Sequence, residues 1–113
     1  MKLITAVVKS EKLDDVIKAV IDAGPRGMTV TEVRGFGHQF GHVRGVNPAN
    51  HRKLLLLPKM RVDVVVQDEV AELVSDAIAK SARTGEIGDG KIWECPVDGA
   101  IRVRTDERDR DAL

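Results

Sequence analysis

Two stretches of helical period, set among segments of β character, constrain this chain more than any other feature. At 12–23 the apolar residues Leu13, Val16, Ile17, Val20 and Ile21 fall at i, i+3, i+4, i+7 and i+8, one face of a helix. At 68–82 Val70, Leu73, Val74, Ala77 and Ile78 do the same. Ser10 is placed to cap the first helix, Asp14 and Asp15 suit its positive first turn, and Gly24-Pro25 ends it. Asp68 and Gly85 are the matching cap and stop of the second. Around these helices, 3–8 reads as a short buried strand, and 28–34 alternates. The stretch 54–66 restores β character after an interruption at Pro58, and 91–95 and 100–103 are two short strands. The order β-α-β-β-α-β predicts an α+β, ferredoxin-like sandwich with two helices on one face of an antiparallel sheet. Val and Ile on the uncovered face point to burial in an oligomer.

The 113 residues make one domain, 1–113. Within it, 35–53 obeys no period: glycines stand at 35, 37, 41 and 45, with Asn47-Pro48 and Asn50 among them. Structureless loops longer than about 12–15 residues are uncommon in compact domains and are usually functional or disordered. Lys and Arg together number 18, as do Asp and Glu, so the positive excess that phosphate neutralisation on nucleic acid needs is missing. Two Phe, one Trp and no Tyr leave too few aromatics for a base-stacking platform, which speaks against an RNA-binding module. No apolar run approaches the roughly 18 residues of a membrane span, and 1–8 runs into a strand without a cleavable leader pattern. The single Cys95 excludes an intramolecular disulfide, suits a cytoplasmic location and reads as a small core filler.

Three pieces of sequence carry anion-binding chemistry. Gly35-Phe36-Gly37-His38-Gln39 stands where a strand opens into the long loop; its glycines allow close approach of backbone N–H groups to an anion, or make an ordinary bulged turn. Thr84-Gly85-Glu86-Ile87-Gly88-Asp89-Gly90-Lys91 offers backbone donors in a tight bend plus a mobile cation; a hairpin turn accounts for the glycines but not for Thr84 or Lys91. Arg102 and Arg104, two apart on a predicted strand, project from one face as a fork for phosphate oxygens, or line a solvated edge.

At these residues the chain resembles the PII nitrogen regulatory signal-transduction family. The likeness runs from Met1-Lys2-Leu3-Ile4-Thr5-Ala6-Val7-Val8-Lys9 and Lys12-Leu13-Asp14-Asp15-Val16, through Gly27-Met28-Thr29-Val30-Thr31-Glu32-Val33 and Gly35-Phe36-Gly37, to Thr84-Gly85, Gly88-Asp89-Gly90-Lys91-Ile92-Trp93 and Ile101-Arg102-Val103-Arg104-Thr105. It implies a non-catalytic homotrimer with ATP or ADP in clefts between neighbours, a T-loop at about 36–54 and a C-terminal tail at 105–113. By matching position, Gly35, Phe36, Gly37, His38, Gly88, Asp89, Gly90, Lys91, Arg102 and Arg104 would hold the nucleotide, and Thr29 and Val65 would line the adenine. Gln39 would hold magnesium beside ATP, and Lys59 would pair a carboxylate of 2-oxoglutarate. Asp63 stands where the family usually has Glu and would be able to pair with Lys91 when ligand is absent. The target, reached through the T-loop, would be a transporter, an enzyme or a transcriptional regulator.

Departures from the family pattern make this an atypical member by sequence. His38 replaces an Arg near the terminal phosphate, which favours ADP over ATP. The loop is one residue longer, lacks the Tyr-Arg-Gly-Ala-Glu-Tyr tip and cannot be modified on tyrosine, because the chain has none. Glu86 and Ser10 replace a common Lys and Pro. A specialised paralogue that senses ADP, AMP or bicarbonate is therefore the alternative. His38, His42 and His51 are candidate metal ligands only if the loop folds to bring them together. An acylphosphatase-like enzyme shares the topology but finds no motif here.

Overall fold

The computed structural model describes residues 1–37 and 56–113. Four strands, β1 (Lys2–Lys9), β2 (Thr29–Gly35), β3 (Leu57–Val66) and β4 (Gly90–Pro96), form one sheet in the order β2-β3-β1-β4. Every neighbouring pair is antiparallel. Helix α1 (Leu13–Ala23) joins β1 to β2, and α2 (Asp68–Ala82) joins β3 to β4. This is the expected α+β, ferredoxin-like order.

Strand alternation sorts the sheet into two faces. Ile4, Ala6 and Val8 of β1 and Val62, Val64 and Val66 of β3 point into the core, where they meet Val16 and Val20 of α1 and Ala71, Val74, Ile78 and Ala82 of α2. All are less than a tenth exposed, so the core is a β-branched layer under two helices. The residues between them share the other face. Register sets Leu3 beside Val65 and Cys95, Thr5 beside Asp63 and Trp93, and Val7 beside Arg61 and Lys91. Val65 and Trp93 remain more than a third exposed there.

Several local expectations are corrected. The Ser10 hydroxyl makes no cap; Ser10–Lys12 forms a 3-10 turn, and α1 begins behind Lys12. Gln67, not Asp68, occupies the cap position of α2, again without a side-chain cap bond. That helix stops at Arg83, whose extended backbone ends it before Gly85 is reached. Ile21 and Leu73 are exposed, because each buried stripe is narrower than the apolar pattern. Pro58 lies inside β3 rather than interrupting it: it pairs with Arg34 of β2, beyond the point at Lys59 where pairing with β1 ends. Cys95 is exposed on the open face, not a core filler. The stretch 100–103 is no strand; only Ile101 bridges, to Arg108, and a turn follows. Gly24 keeps its role as helix stop, at φ 117°. Among the described residues no helix is long and apolar enough to cross a membrane.

Candidate functional site

The polar residues singled out in the sequence gather at the two ends of the sheet. At one end, where β1 finishes at Lys9 and β3 begins, lie Gly35, Lys59 and the loop 83–90 that leads from α2 into β4. At the other end lie Thr29, Val65 and Arg102. Six residue steps along β1, from Leu3 to Lys9, separate the two, about 20 Å at the rise of a strand.

The loop 83–90 is organised around one carboxylate. Asp89 accepts hydrogen bonds from the Thr84 N–H and the Gly85 N–H, each at 2.8 Å, and from the Thr84 hydroxyl. The Lys9 ammonium stands 3.3 Å from the same carboxylate and donates to Thr84 Oγ1 at 3.2 Å. The Thr84 hydroxyl, against the pull of desolvation and with help from both amides and Lys9, holds the Asp89 carboxyl far below the usual carboxylate range. Positive φ at Gly85, Gly88 and Gly90 turns the chain tightly round this centre. Gly90 has a second constraint: a Cβ there would lie 1.8 Å from the Val7 carbonyl oxygen. Lys59 donates to the Gly88 carbonyl at 2.8 Å. Burial first, and the neighbouring Lys9 charge second, push the Lys59 ammonium below its ordinary pKa, although Glu11 and Asp89 oppose them. Lys91 follows on β4, paired with Val7 through its backbone, and its exposed side chain has no hydrogen-bond or ion-pair partner among the described residues.

Gly35, Phe36 and Gly37 sit at this same end, where Gly35 pairs with Leu57. A Cβ at Gly35 or Gly37 meets nothing within 4 Å, so the chain itself does not demand glycine there. His38, Gln39, His42, His51 and most of the T-loop lie outside the described residues. Among those described, no cluster of His, Cys, Asp and Glu could hold a metal ion.

The opposite end is a cleft of about 800 Å³. Its lining sets an apolar wall of Met28, Val65 and Val70 beside Thr29, the Asp63 carboxylate and two arginines, Arg26 and Arg102. Arg102 is held by Glu107 at 3.1 Å and by the Leu113 carbonyl at 3.0 Å. Arg104 does not join it: with no strand at 102–104 the two side chains lose the shared face, and Arg104 is exposed and away from the cleft lining. The Asp63–Lys91 pair is also absent within the chain. Asp63 instead takes Thr5 Oγ1 at 2.7 Å and Arg61 Nε at 2.9 Å. Burial would raise its pKa, but these bonds and the Arg61 charge win and leave it lowered.

Sequence reasoning did not single out Lys9 or Glu107. Lys9 stands 75 residues before Thr84, and only the sheet register brings them together. Glu107 carried a usable signal, a carboxylate five residues after Arg102, but it falls within the C-terminal tail 105–113.

Comparison with known proteins agrees over the whole chain. The model of the family described as nitrogen regulatory protein P-II matches residues 1–107. The chain is 48% identical over 113 residues to the nitrogen regulatory protein P-II of Haemophilus influenzae, covering all of both chains. It is 47% identical to that of Pasteurella multocida and 44% identical to the nitrogen regulatory protein GlnK of Escherichia coli K12, again over the full length of each. Identity at this level does not support the expectation of an atypical member. With the antiparallel sheet and paired helices in the expected order, these matches place the chain in the P-II nitrogen regulatory protein family, as a regulatory protein rather than an enzyme.

Proposed function

We propose that this protein is a cytoplasmic homotrimer that binds ATP or ADP between subunits and passes the signal to a target protein of nitrogen metabolism through the segment 36–54. The observation that carries this reading is the division of the polar residues into two unlike halves. One end of the sheet offers a cleft with an apolar wall and two arginines, Arg26 and Arg102, suited to a base and a neighbouring phosphate. The other offers a glycine-turned loop and Lys91, donors suited to a polyphosphate. The two hollows share no lining residue, so within one chain neither is complete. Packing the open sheet faces of several copies together would bury Val65 and Trp93 and let one copy's cleft meet its neighbour's loop.

The residues present fit the ligand. Of the loop's two carboxylates Glu86 points to solvent, and the bonds of Asp89 to Thr84, Gly85 and Lys9 offset the repulsion it would exert on phosphate. Asp89 then shapes the loop, while Gly88, Gly90, Lys91 and Arg102 meet the nucleotide. Arg104 would serve from its exposed turn. Magnesium, carried in with ATP and held by Gln39, would supply charge neutralisation for a second anion such as 2-oxoglutarate, whose carboxylate Lys59 would take.

Mixing two defective chains tests the division directly. Arg102→Ala and Lys91→Ala homotrimers should each bind ATP weakly in calorimetry. Trimers re-formed from both should regain one sound seam each, where an intact loop meets an intact Arg102. No recovery on mixing rejects the seam, and no binding of ATP or ADP to the wild type at millimolar concentration rejects the nucleotide. Adding 2-oxoglutarate or bicarbonate to the ATP complex separates the two candidate co-ligands.

Lys59 gives the reading a pH signature. A lysine whose folded pKa is lowered loses its charge at a lower pH than the ordinary 10.5. Affinity for 2-oxoglutarate should therefore decline on the alkaline side earlier than for an ordinary lysine site, and Lys59→Arg should abolish that decline. A flat profile in the wild type up to pH 10.5 would remove Lys59 from the effector site.

A further inference from the structure

We propose that Lys9 is a positioning residue for phosphate binding, one of two lysines that clamp the loop 83–90 to the end of the sheet. The inference rests on the nucleotide reading above and extends it to a residue which that reading leaves out.

Lys9 and Lys59 are direct partners across β1 and β3. Two ammonium groups in facing positions repel and destabilise a sheet unless each finds an opposite charge or a carbonyl. Here each is drawn to the same loop, one to a carboxylate and a hydroxyl and the other to a backbone carbonyl. Lys9 reaches Thr84 Oγ1 at 3.2 Å and Asp89 Oδ1 at 3.3 Å, binding the loop's start and its end to one ammonium. Lys59 reaches the Gly88 carbonyl at 2.8 Å, near the loop's end. The Lys9 side chain is only 17% exposed, so little of its charge is screened by water. Glu86, at 4.0 Å and 82% exposed, adds little.

Two consequences follow for an anionic ligand. Lys9 ties the ring of bonds around Asp89 to β1, an interior strand, so the loop inherits the sheet's rigidity. It also offsets the Asp89 charge, which otherwise would face the phosphates uncompensated. Both effects act through Asp89, and Lys9 needs no contact with the ligand.

The test uses calorimetry of the full chain with ATP for the wild type, Lys9→Met, Lys9→Arg, Asp89→Asn and the Lys9→Met/Asp89→Asn double variant. Lys9→Met should weaken ATP binding about tenfold, the scale of one charged hydrogen bond. Lys9→Arg should recover most of that loss, and Lys9→Met should cost little more once Asp89 is already neutral. Equal affinity of Lys9→Met and wild type overturns the proposal. So does an undiminished Lys9 effect in the Asp89→Asn background, which would mark a direct contact. Amide hydrogen exchange gives an arm that needs no ligand. The Thr84 and Gly85 N–H groups should exchange faster in Lys9→Met, or in Lys9→Gln should the Met variant not fold. Unchanged exchange rejects the clamp even if the wild type binds no ATP, an outcome that by itself rejects only the nucleotide reading.

Discussion

Gly90→Ala should cost about 3–5 kcal/mol of folding stability, a large effect for one added methyl group. The residue sits at φ 109°, where an L side chain is strained by roughly 1–3 kcal/mol. The new Cβ would also lie 1.8 Å from the Val7 carbonyl oxygen and 2.8 Å from its carbon. Those atoms belong to β1, held between β3 and β4, so the obstacle cannot swing aside as a side-chain tip would. Forced overpacking of this kind costs typically about 1–3 kcal/mol more. A domain of this size has only about 5–15 kcal/mol to lose, so urea unfolding should show a clearly lowered midpoint at unchanged slope. Gly27→Ala is the control, since a Cβ there meets nothing within 4 Å and its φ is ordinary. If the two variants unfold at the same urea concentration, the close approach of β4 to β1 at Gly90 is wrong.

Asp89→Asn should weaken ATP binding about thirtyfold to a hundredfold, with the fold retained. The substitution keeps the shape but exchanges one acceptor oxygen for an NH2 group. All the neighbours are donors: the Thr84 N–H and hydroxyl, the Gly85 N–H and the Lys9 ammonium. An amide nitrogen placed against them leaves at least one donor unmatched. The same network fixes a pH dependence. A carboxylate whose folded pKa is depressed contributes stability that is full above the unfolded value of about 3.9 and is lost as pH falls through the lower folded value. The loop should therefore keep its geometry at pH 4, where ordinary carboxylates are half protonated. Carbon-detected NMR titration of the Asp89 carboxyl checks this; a midpoint at or above 4 contradicts it. An unaltered ATP affinity in Asp89→Asn would show that the loop is shaped by its glycines alone.

What the sequence made legible was what local chemistry decides. Val16 with Val20, and Val74 with Ile78, announce helices because a period of 3.6 must place them on one face, and both pairs are buried. The turn glycines at 85, 88 and 90 were legible for the same reason, since positive φ is a demand of the backbone at that residue. Ile101-Arg102-Val103-Arg104 shows the limit of such signals. Its alternation imitates a strand, yet a strand exists only where another offers its edge, and Val103 is left 99% exposed. Ile21 and Leu73 fail likewise, because the period of a helix does not say how wide its covered stripe will be. Lys9 was invisible as a site residue because its partners are set by register across the sheet. Within the chain Asp63 takes Arg61, two residues away on β3, a pairing that strand spacing alone allows.

The 20 Å that β1 puts between Arg102's cleft and the loop 83–90 has a thermodynamic corollary. A guest that needs both ends can be held only by chains that have already met, so its apparent affinity must weaken on dilution of the protein. Mass action works in the reverse direction too: saturating guest should keep the assembly together at concentrations where bare chains come apart.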